Sequence, residues 1–347
     1  MFSYESLGSE NLAKEELVKY LDRVKYILRP IKVIKDDKNT YKVYLDNRGN
    51  VVVLKDLRVV KVSNISRENG ESVKVALLAA HGDAHGLVAA AGSFFRLRDE
   101  GYAVRLLFGK VTGDVKLFWE KTFYSIPFEC YDIVVILDIP EKMGRILPTN
   151  TVYIDHHGTG LKVDEVFYGE PDYIFKRLAL LADHEDDPKS RDEELLQLGL
   201  SIAPFEPKCL SPELRAIEAV DRLIDKDFKY FMVLGQMFES TCIEISKKAE
   251  IIESTALVEF PQNFEFKLIW SVLHYIRLKN NIKAAIGFKR VKNNIYQINI
   301  VSSEPLNYKM IAKELEGTNL LVLSSKALSL RVKKNALNKL SLLAKCI

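Results

Sequence analysis

The sequence predicts an α/β protein, with a parallel sheet covered by helices on both faces and a smaller C-terminal α/β domain. Three observations lead to this prediction. Residues 73–80 form an almost continuous apolar run, as in a strand buried on both faces. Further apolar runs alternate with helical patterns over residues 86–154, which is typical of parallel sheets. Clusters of histidine and aspartate follow three predicted strands, where open α/β sheets bind ligands.

Composition places the chain among ordinary globular proteins. Its 347 residues are 48% hydrophobic and 28% charged, and this length allows two domains. No apolar run approaches the ~20 residues that span a bilayer, and the N-terminus lacks a signal-peptide pattern. We therefore expect a cytoplasmic protein without membrane contact. The four cysteines form no Cys-x-x-Cys pair, which excludes a local zinc knuckle.

Residues 1–70 are predicted to form an N-terminal extension, a helix followed by a β-hairpin. Apolar residues recur at helical spacing over residues 9–29, and Pro30 ends the pattern. Residues 31–62 have β character and contain a turn over residues 46–50.

Residues 71–205 are predicted to form the domain that carries the parallel sheet. Its expected strands cover residues 73–80, 103–108, 131–137 and 151–154, and its expected helices cover residues 86–97 and 175–182.

A helical linker is predicted over residues 206–240, where Ser211 and Pro212 suit the N-cap and the first helical position. Residues 241–347 then form the C-terminal α/β domain. Its expected elements are a helix over residues 267–279, a hairpin over residues 283–301 and a helix over residues 306–315.

The histidine–aspartate clusters predict a metal site. His81, Asp83 and His85 alternate after the first buried strand, so an extended segment would point all three the same way. Asp138 follows the third strand and could bridge two ions, and His156 follows the fourth. Imidazole and carboxylate together suit Mn²⁺, Fe²⁺ or Zn²⁺. Two such ions about 3.5–4 Å apart are the general device for phosphoryl hydrolysis.

In type and order, these clusters resemble the motifs of the DHH phosphoesterase superfamily, which includes RecJ exonucleases, oligoribonucleases and cyclic-dinucleotide phosphodiesterases. The first family motif is His-x-Asp-x-Asp-Gly, and residues 81–86 match it except for histidine at position 85. Asp138 matches the second motif, and residues 155–157 (Asp-His-His) match the third. The resemblance covers roughly residues 73–340.

The resemblance implies two bound Mn²⁺ ions, with Mg²⁺ as a possible substitute. The fourth motif falls on Asp183, with Asp186 or Asp187 as alternatives. The implied ligands of one ion are His81, Asp83 and Asp138, and those of the other are His85, Asp138, His156 and Asp183. The implied catalytic residues are His157 at the scissile phosphate, Asp155 orienting the histidine pair, and the bridging Asp138.

The chain departs from the family pattern in two places. His85 replaces an aspartate and contributes no negative charge, so we expect a weaker second site or a metal that prefers nitrogen. The C-terminal domain resembles the DHH-associated substrate-binding domain, but residues 316–319 (Glu-Gly-Thr-Asn) replace its Gly-Gly-Gly-His loop. The substrate-binding candidates are Gly317, Thr318, Asn319, Arg331, Lys333 and Lys334, of which the basic ones could equally form an ordinary solvated face.

Two functions follow from the resemblance. One is a metal-dependent phosphodiesterase or exonuclease acting on single-stranded DNA, RNA or short oligonucleotides. The other is a catalytically inactive RecJ-derived replication factor, a scaffold in the CMG helicase whose partners are GINS and MCM. The surviving ligands favour the enzyme, whereas His85 and the altered loop favour the scaffold.

Overall fold

The computed structural model describes residues 74–108, 131–139, 148–157, 160–205, 212–345 and 347, together with the backbone of five strands between residues 27 and 64. The predicted helix over residues 9–29 lies mostly outside these residues. Its last part is not helical, because residues 27 and 28 form a short strand.

The strands of the described residues are numbered in chain order: β1 (Ile27–Leu28), β2 (Lys32–Lys35), β3 (Thr40–Leu45), β4 (Asn50–Lys55), β5 (Arg58–Asn64), β6 (Val75–Ala80), β7 (Ala103–Phe108), β8 (Ile133–Leu137), β9 (Thr151–Ile154), β10 (Glu250–Ile252), β11 (Thr255–Glu259), β12 (Ala284–Lys292), β13 (Ile295–Ser302), β14 (Thr318–Ser324) and β15 (Ala327–Lys333).

The α-helices are α1 (Ala84–Asp99), α2 (Tyr173–Ala182), α3 (Arg191–Ile202), α4 (Pro212–Ile224), α5 (Phe228–Ser246), α6 (Phe266–Lys279), α7 (Tyr308–Glu314) and α8 (Leu340–Ala344). Short 3₁₀ helices cover Val163–Glu165, Ala203–Phe205 and Lys334–Lys339. None of the helices in the described part of the chain is long and apolar enough to cross a membrane.

The chain divides into two compact units. One comprises Met1–Leu180 and Ala203–Asp227, and the other comprises Leu181–Ile202 and Phe228–Ile347. This division differs from the predicted linker over residues 206–240. The helical pattern predicted for this linker is interrupted, because α4 ends at Ile224 and α5 begins at Phe228. Lys226 between them takes a φ of 54°, which a helix cannot contain.

The first unit contains the predicted parallel sheet. Its strand order is β1-β7-β6-β8-β9, in which β1 is antiparallel to β7 and the other four strands are parallel. Residues 76–80 of β6 are fully buried, as their apolar character requires. α1 packs against β6, β7 and β8. The predicted α/β class is confirmed, and the predicted strands at residues 103–108 and 151–154 agree in their bounds.

A separate antiparallel sheet precedes it, in the order β2-β3-β4-β5. The β character predicted for residues 31–62 is therefore correct, but the region forms four strands rather than a single hairpin. The predicted turn over residues 46–50 falls largely outside the described residues.

The second unit is built on a six-stranded sheet with the order β10-β11-β12-β13-β15-β14. The predicted hairpin is present as β12 and β13, which pair from Ala284 with Ser302 to Lys292 with Ile295. One face of the sheet is closed by an apolar cluster to which α7 and α8 contribute Ile311, Leu340 and Leu343.

In the second unit, α3 and α5 approach each other closely at two glycines. A Cβ atom on Gly199 would overlap the backbone carbonyl of Phe231, and one on Gly235 would overlap that of Leu195. Both helices therefore present bare backbone to each other, and any larger residue at either position forces them apart.

We expect Gly235→Ala to lower the free energy of unfolding by about 1–3 kcal/mol, because the added methyl group has no space. At an exposed helical position the same exchange would raise the free energy of unfolding by about 0.5–1 kcal/mol. The direction of the change therefore distinguishes a close helix contact from an exposed position. Urea denaturation measures the difference. Ser240→Ala, at an exposed position of the same helix, is the control and should change stability by less than about 0.5 kcal/mol. An unchanged or raised stability of Gly235→Ala would contradict the close approach.

Candidate metal centre

The register of the parallel sheet aligns three strand ends. The last residues of β6, β8 and β9 pair with one another: Ala80, Leu137 and Ile154. The next residues are His81, Asp138 and Asp155, which therefore leave the sheet side by side. Backbone hydrogen bonds keep this alignment beyond the strands, since Asp138 N donates to Ile154 O at 3.1 Å. Three clusters that are far apart in sequence thus meet at the carboxyl edge of the sheet.

Asp138 occupies the centre of this edge. Its side chain is almost completely buried, and its φ of 55° lies in the left-handed region that a non-glycine residue rarely adopts. Strained backbone of this kind persists where the surrounding structure fixes it, and it is concentrated at functional sites. Burial alone raises the pKa of this carboxyl, but His85, His156 and His157 together hold it well below its usual value. Asp138 is therefore an anion.

The segment after β6 is shaped by Asp83. One carboxylate oxygen of Asp83 accepts a hydrogen bond from Gly86 N at 3.2 Å and caps the N-terminus of α1. The other oxygen lies 2.6 Å from His81 Nδ1. A Cβ atom at Gly86 would overlap the carbonyl oxygen of His81, so glycine is required for the segment to fold back on itself.

His85 is the residue that replaces the family aspartate, and it is buried beside Asp138. Its Nε2 lies 3.1 Å from the carbonyl oxygen of Val163, which can only accept a hydrogen bond, so Nε2 carries a proton. Its Nδ1 then faces Asp138 Oδ1 at 3.1 Å. In the neutral ring these two atoms are both acceptors, and either a proton or a metal ion between them removes their repulsion. Histidines that bind metals commonly donate their other ring N–H to a carbonyl in this way.

The Asp-His-His segment supplies two further imidazoles. His156 Nε2 lies 3.3 Å from Asp138 Oδ1. His157 Nδ1 lies 2.7 Å from Asp155 Oδ1, and the same carboxylate accepts a hydrogen bond from the backbone N–H of His157 at 3.2 Å. Asp155 is buried, whereas the side chain of His157 is 32% exposed. Asp155 therefore fixes the orientation of an imidazole that solvent can reach.

The donor atoms of these residues fit metal ions. Within the described residues, three groups bring one donor atom from each member to within 4.8 Å of the others: His81 with Asp83 and Asp138, His85 with Asp138 and His156, and Asp138 with Asp155 and His157. Asp138 belongs to all three. Two donors at right angles on one ion, each at about 2.2 Å, lie about 3 Å apart. The separations of His85 Nδ1 and His156 Nε2 from Asp138 Oδ1 have this size.

The remaining predicted site residues lie in the second unit. Asp183 follows α2 in a turn, and its assignment as a ligand stays a prediction. Gly317 precedes β14, and Thr318 and Asn319 are its first residues rather than a loop. Arg331 and Lys333 are exposed on β15, and Lys334 is exposed at the start of a 3₁₀ helix, so their role in substrate binding also stays a prediction.

Sequence reasoning missed Val163. No motif marks it, because its contribution is a backbone carbonyl 78 residues away from His85. Sequence reasoning also missed the neighbour of His184 in the second unit. The ring centroid of His184 lies 4.7 Å from that of His274. Burial, with a smaller contribution from Arg277, lowers the pKa of His184 to about 4, so this ring is neutral.

No protein-family model matches the chain, and no curated protein matches it. Several solved structures are similar. A pGpG-specific phosphodiesterase, PggH from Vibrio cholerae, is 12% identical with a TM-score of 0.48, and the match covers 79% of this chain and 99% of that chain. RecJ in complex with Mn²⁺, from Thermus thermophilus, is 12% identical with a TM-score of 0.41, and the match covers 79% of this chain and 52% of that chain.

CDC45 from Entamoeba histolytica is 8% identical with a TM-score of 0.41, and the match covers 79% of this chain and 95% of that chain. The chain resembles the DHH phosphoesterase superfamily in the order of its motifs and in the position of those motifs at the ends of parallel strands.

Proposed function

We propose that this chain is a divalent-metal-dependent phosphodiesterase acting on single-stranded nucleic acid or short oligonucleotides. The observation that carries the proposal is the position of Asp138, a buried anion that is common to the donor group of His81 and Asp83 and to the donor group of His85 and His156. A carboxylate shared by two donor sets is the arrangement that two-metal hydrolases use.

The geometry supports two ligand sets, to which the motif resemblance adds Asp183. His81, Asp83 and Asp138 would hold one ion, and His85, Asp138 and His156 would hold the other, with Asp183 as a further proposed ligand. The mixture of nitrogen and oxygen donors suits Mn²⁺ better than Mg²⁺, which prefers oxygen. Bound ions of this kind lower the pKa of water and neutralise charge on phosphate oxygens.

The protein's own groups then position the phosphodiester. His157 is held by Asp155 through Nδ1 and is partly exposed, so its imidazolium form can donate a hydrogen bond from Nε2 to a phosphate oxygen as negative charge develops there. Asp155 orients that ring and remains buried behind it. The exposed cations Arg331, Lys333 and Lys334 are proposed to contact the nucleic-acid backbone.

A second candidate function is a catalytically inactive replication factor of the RecJ-derived type, with GINS and MCM as partners. Two observations favour it. An imidazole in place of a carboxylate at position 85 leaves this donor set with one carboxylate, Asp138. The segment that replaces the glycine–histidine loop joins β14 at Thr318 and contains no histidine.

We expect wild-type protein to hydrolyse 5′-labelled single-stranded DNA, RNA or dinucleotides in the presence of Mn²⁺. Asp138→Asn should lower the rate by about 100-fold or more, because it removes the charge that both donor sets share. The control is Asp99→Asn, an exposed carboxylate at the end of α1, which should retain full activity. If wild type turns over no faster than Asp138→Asn on every substrate, the catalytic proposal fails, and co-purification with a replication subunit would then support the scaffold.

His85→Asp is expected to strengthen Mn²⁺ binding by about tenfold, because it restores a second buried carboxylate to the donor set. Without metal, two buried carboxylates repel each other, so the apo variant should be less stable than wild type. Tenfold tighter binding adds about 1.4 kcal/mol of metal-dependent stabilisation. Thermal denaturation with and without Mn²⁺, together with elemental analysis, measures both effects.

His85→Asn, which adds no charge, is the matched control for His85→Asp. If Mn²⁺ stabilises wild type and His85→Asp equally, residue 85 is not a metal ligand.

A further inference from the structure

The two donor groups that share Asp138 differ in chemical composition. The nitrogen-rich group, His85 with Asp138 and His156, offers two imidazole nitrogens and one carboxylate. The oxygen-rich group, His81 with Asp83 and Asp138, offers one imidazole nitrogen and two carboxylates. Imidazole suits Zn²⁺ and other late first-row ions, whereas carboxylate suits Mn²⁺ and Mg²⁺. The two groups are therefore suited to different ions.

The two groups also differ in their exposure to solvent. In the nitrogen-rich group, the side chains of His85, Asp138 and His156 are 4%, 2% and 12% exposed. In the oxygen-rich group, those of His81 and Asp83 are 18% and 30% exposed. Mn²⁺ favours six ligands and needs water beside three protein donors, whereas Zn²⁺ is stable with four ligands in all. The buried group therefore suits an ion of low coordination number, and solvent can reach the other group.

The nitrogen atoms of the nitrogen-rich group are directed at one point. His85 Nδ1 and His156 Nε2 lie 3.1 Å and 3.3 Å from the same atom, Asp138 Oδ1. The two rings are not stacked, since their planes cross at 87° with their centroids 4.8 Å apart. The Nε2 atom of His85 is held at 3.1 Å by the carbonyl oxygen of Val163, as is common for histidines that bind metals through the other nitrogen. Two imidazoles are thus oriented towards one carboxylate oxygen.

We propose that the nitrogen-rich group binds a late first-row ion, tested here as Zn²⁺, in preference to Mn²⁺, while the oxygen-rich group binds Mn²⁺. His85 sets this selectivity, because it supplies the imidazole at the position where the family motif has an aspartate. The inference rests on the metal-dependent function proposed above, and it assigns a different ion to each of the two ligand sets. Zn²⁺ in limited supply should enter the group with more imidazole, and Mn²⁺ in excess should then fill the other.

Equilibrium dialysis of the full-length protein against excess Mn²⁺ with one equivalent of Zn²⁺ per chain, followed by elemental analysis, tests the selectivity. Wild type should hold one Zn²⁺ and one Mn²⁺ per chain. In His85→Asp the ratio of Zn²⁺ affinity to Mn²⁺ affinity should fall by about tenfold or more, because an oxygen donor replaces a nitrogen donor.

Two results of this dialysis would overturn the inference while leaving the proposed function intact. One is a wild type that holds two Mn²⁺ ions and no Zn²⁺, and the other is an equal affinity ratio in wild type and His85→Asp. A wild type that binds neither ion would overturn the proposed function as well.

Asp83→Asn is the matched control, because it changes the oxygen-rich group instead. Asparagine can still cap α1 through its side-chain oxygen, so the fold should be preserved. The variant should lose Mn²⁺ and keep one Zn²⁺ per chain. Loss of Zn²⁺ from Asp83→Asn together with its retention in His85→Asp would reverse the assignment.

Anomalous X-ray diffraction at the zinc absorption edge locates the ion in crystals grown from the dialysed wild type. The expected peak lies among the donor atoms of His85, Asp138 and His156. A zinc peak between His81 and Asp83, or only at a site outside both groups, would contradict the proposal.

Discussion

The buried carboxylate of Asp138 is the constraint on which the site depends. It lies at the carboxyl end of β8, between β6 and β9, so every motif residue that leaves the sheet at this edge lies near it. An ionised carboxylate without compensation costs several kcal/mol to bury. Here three imidazoles surround the anion, and the same atoms form the donor sets for metal. The charge that is costly to bury is the charge that would attract a cation to these donors.

This coupling explains the arrangement of the surrounding residues. Val163 fixes the tautomer of His85, and Asp155 fixes the orientation of His157. Asp83 serves both the helix and the site, since one oxygen caps α1 while the other faces His81. His81, His85 and His157 are therefore each oriented by another protein group, which would reduce the cost of assembling a metal site.

The sequence predicts the parallel sheet and its motif residues well, because continuous apolar runs and strand-end clusters are local patterns. It also predicts that the clusters converge, since the carboxyl ends of parallel strands share one edge. Other features depend on tertiary contacts that leave no local signal. The hydrogen bond from His85 to Val163 spans 78 residues, and the helix break at Lys226 interrupts a pattern that is helical on both sides. The strand at Thr318 replaces a loop that only a family comparison suggested.

Electron paramagnetic resonance of the full-length protein loaded with Mn²⁺ addresses the shared role of Asp138. Two ions that share one carboxylate lie about 3.5–4 Å apart and couple magnetically. The geometry therefore predicts a spin-coupled spectrum with two Mn²⁺ ions bound per chain, which Asp138→Asn abolishes. A six-line spectrum of isolated Mn²⁺ at full loading, or a coupled spectrum that survives in Asp138→Asn, would contradict a metal pair bridged by this residue.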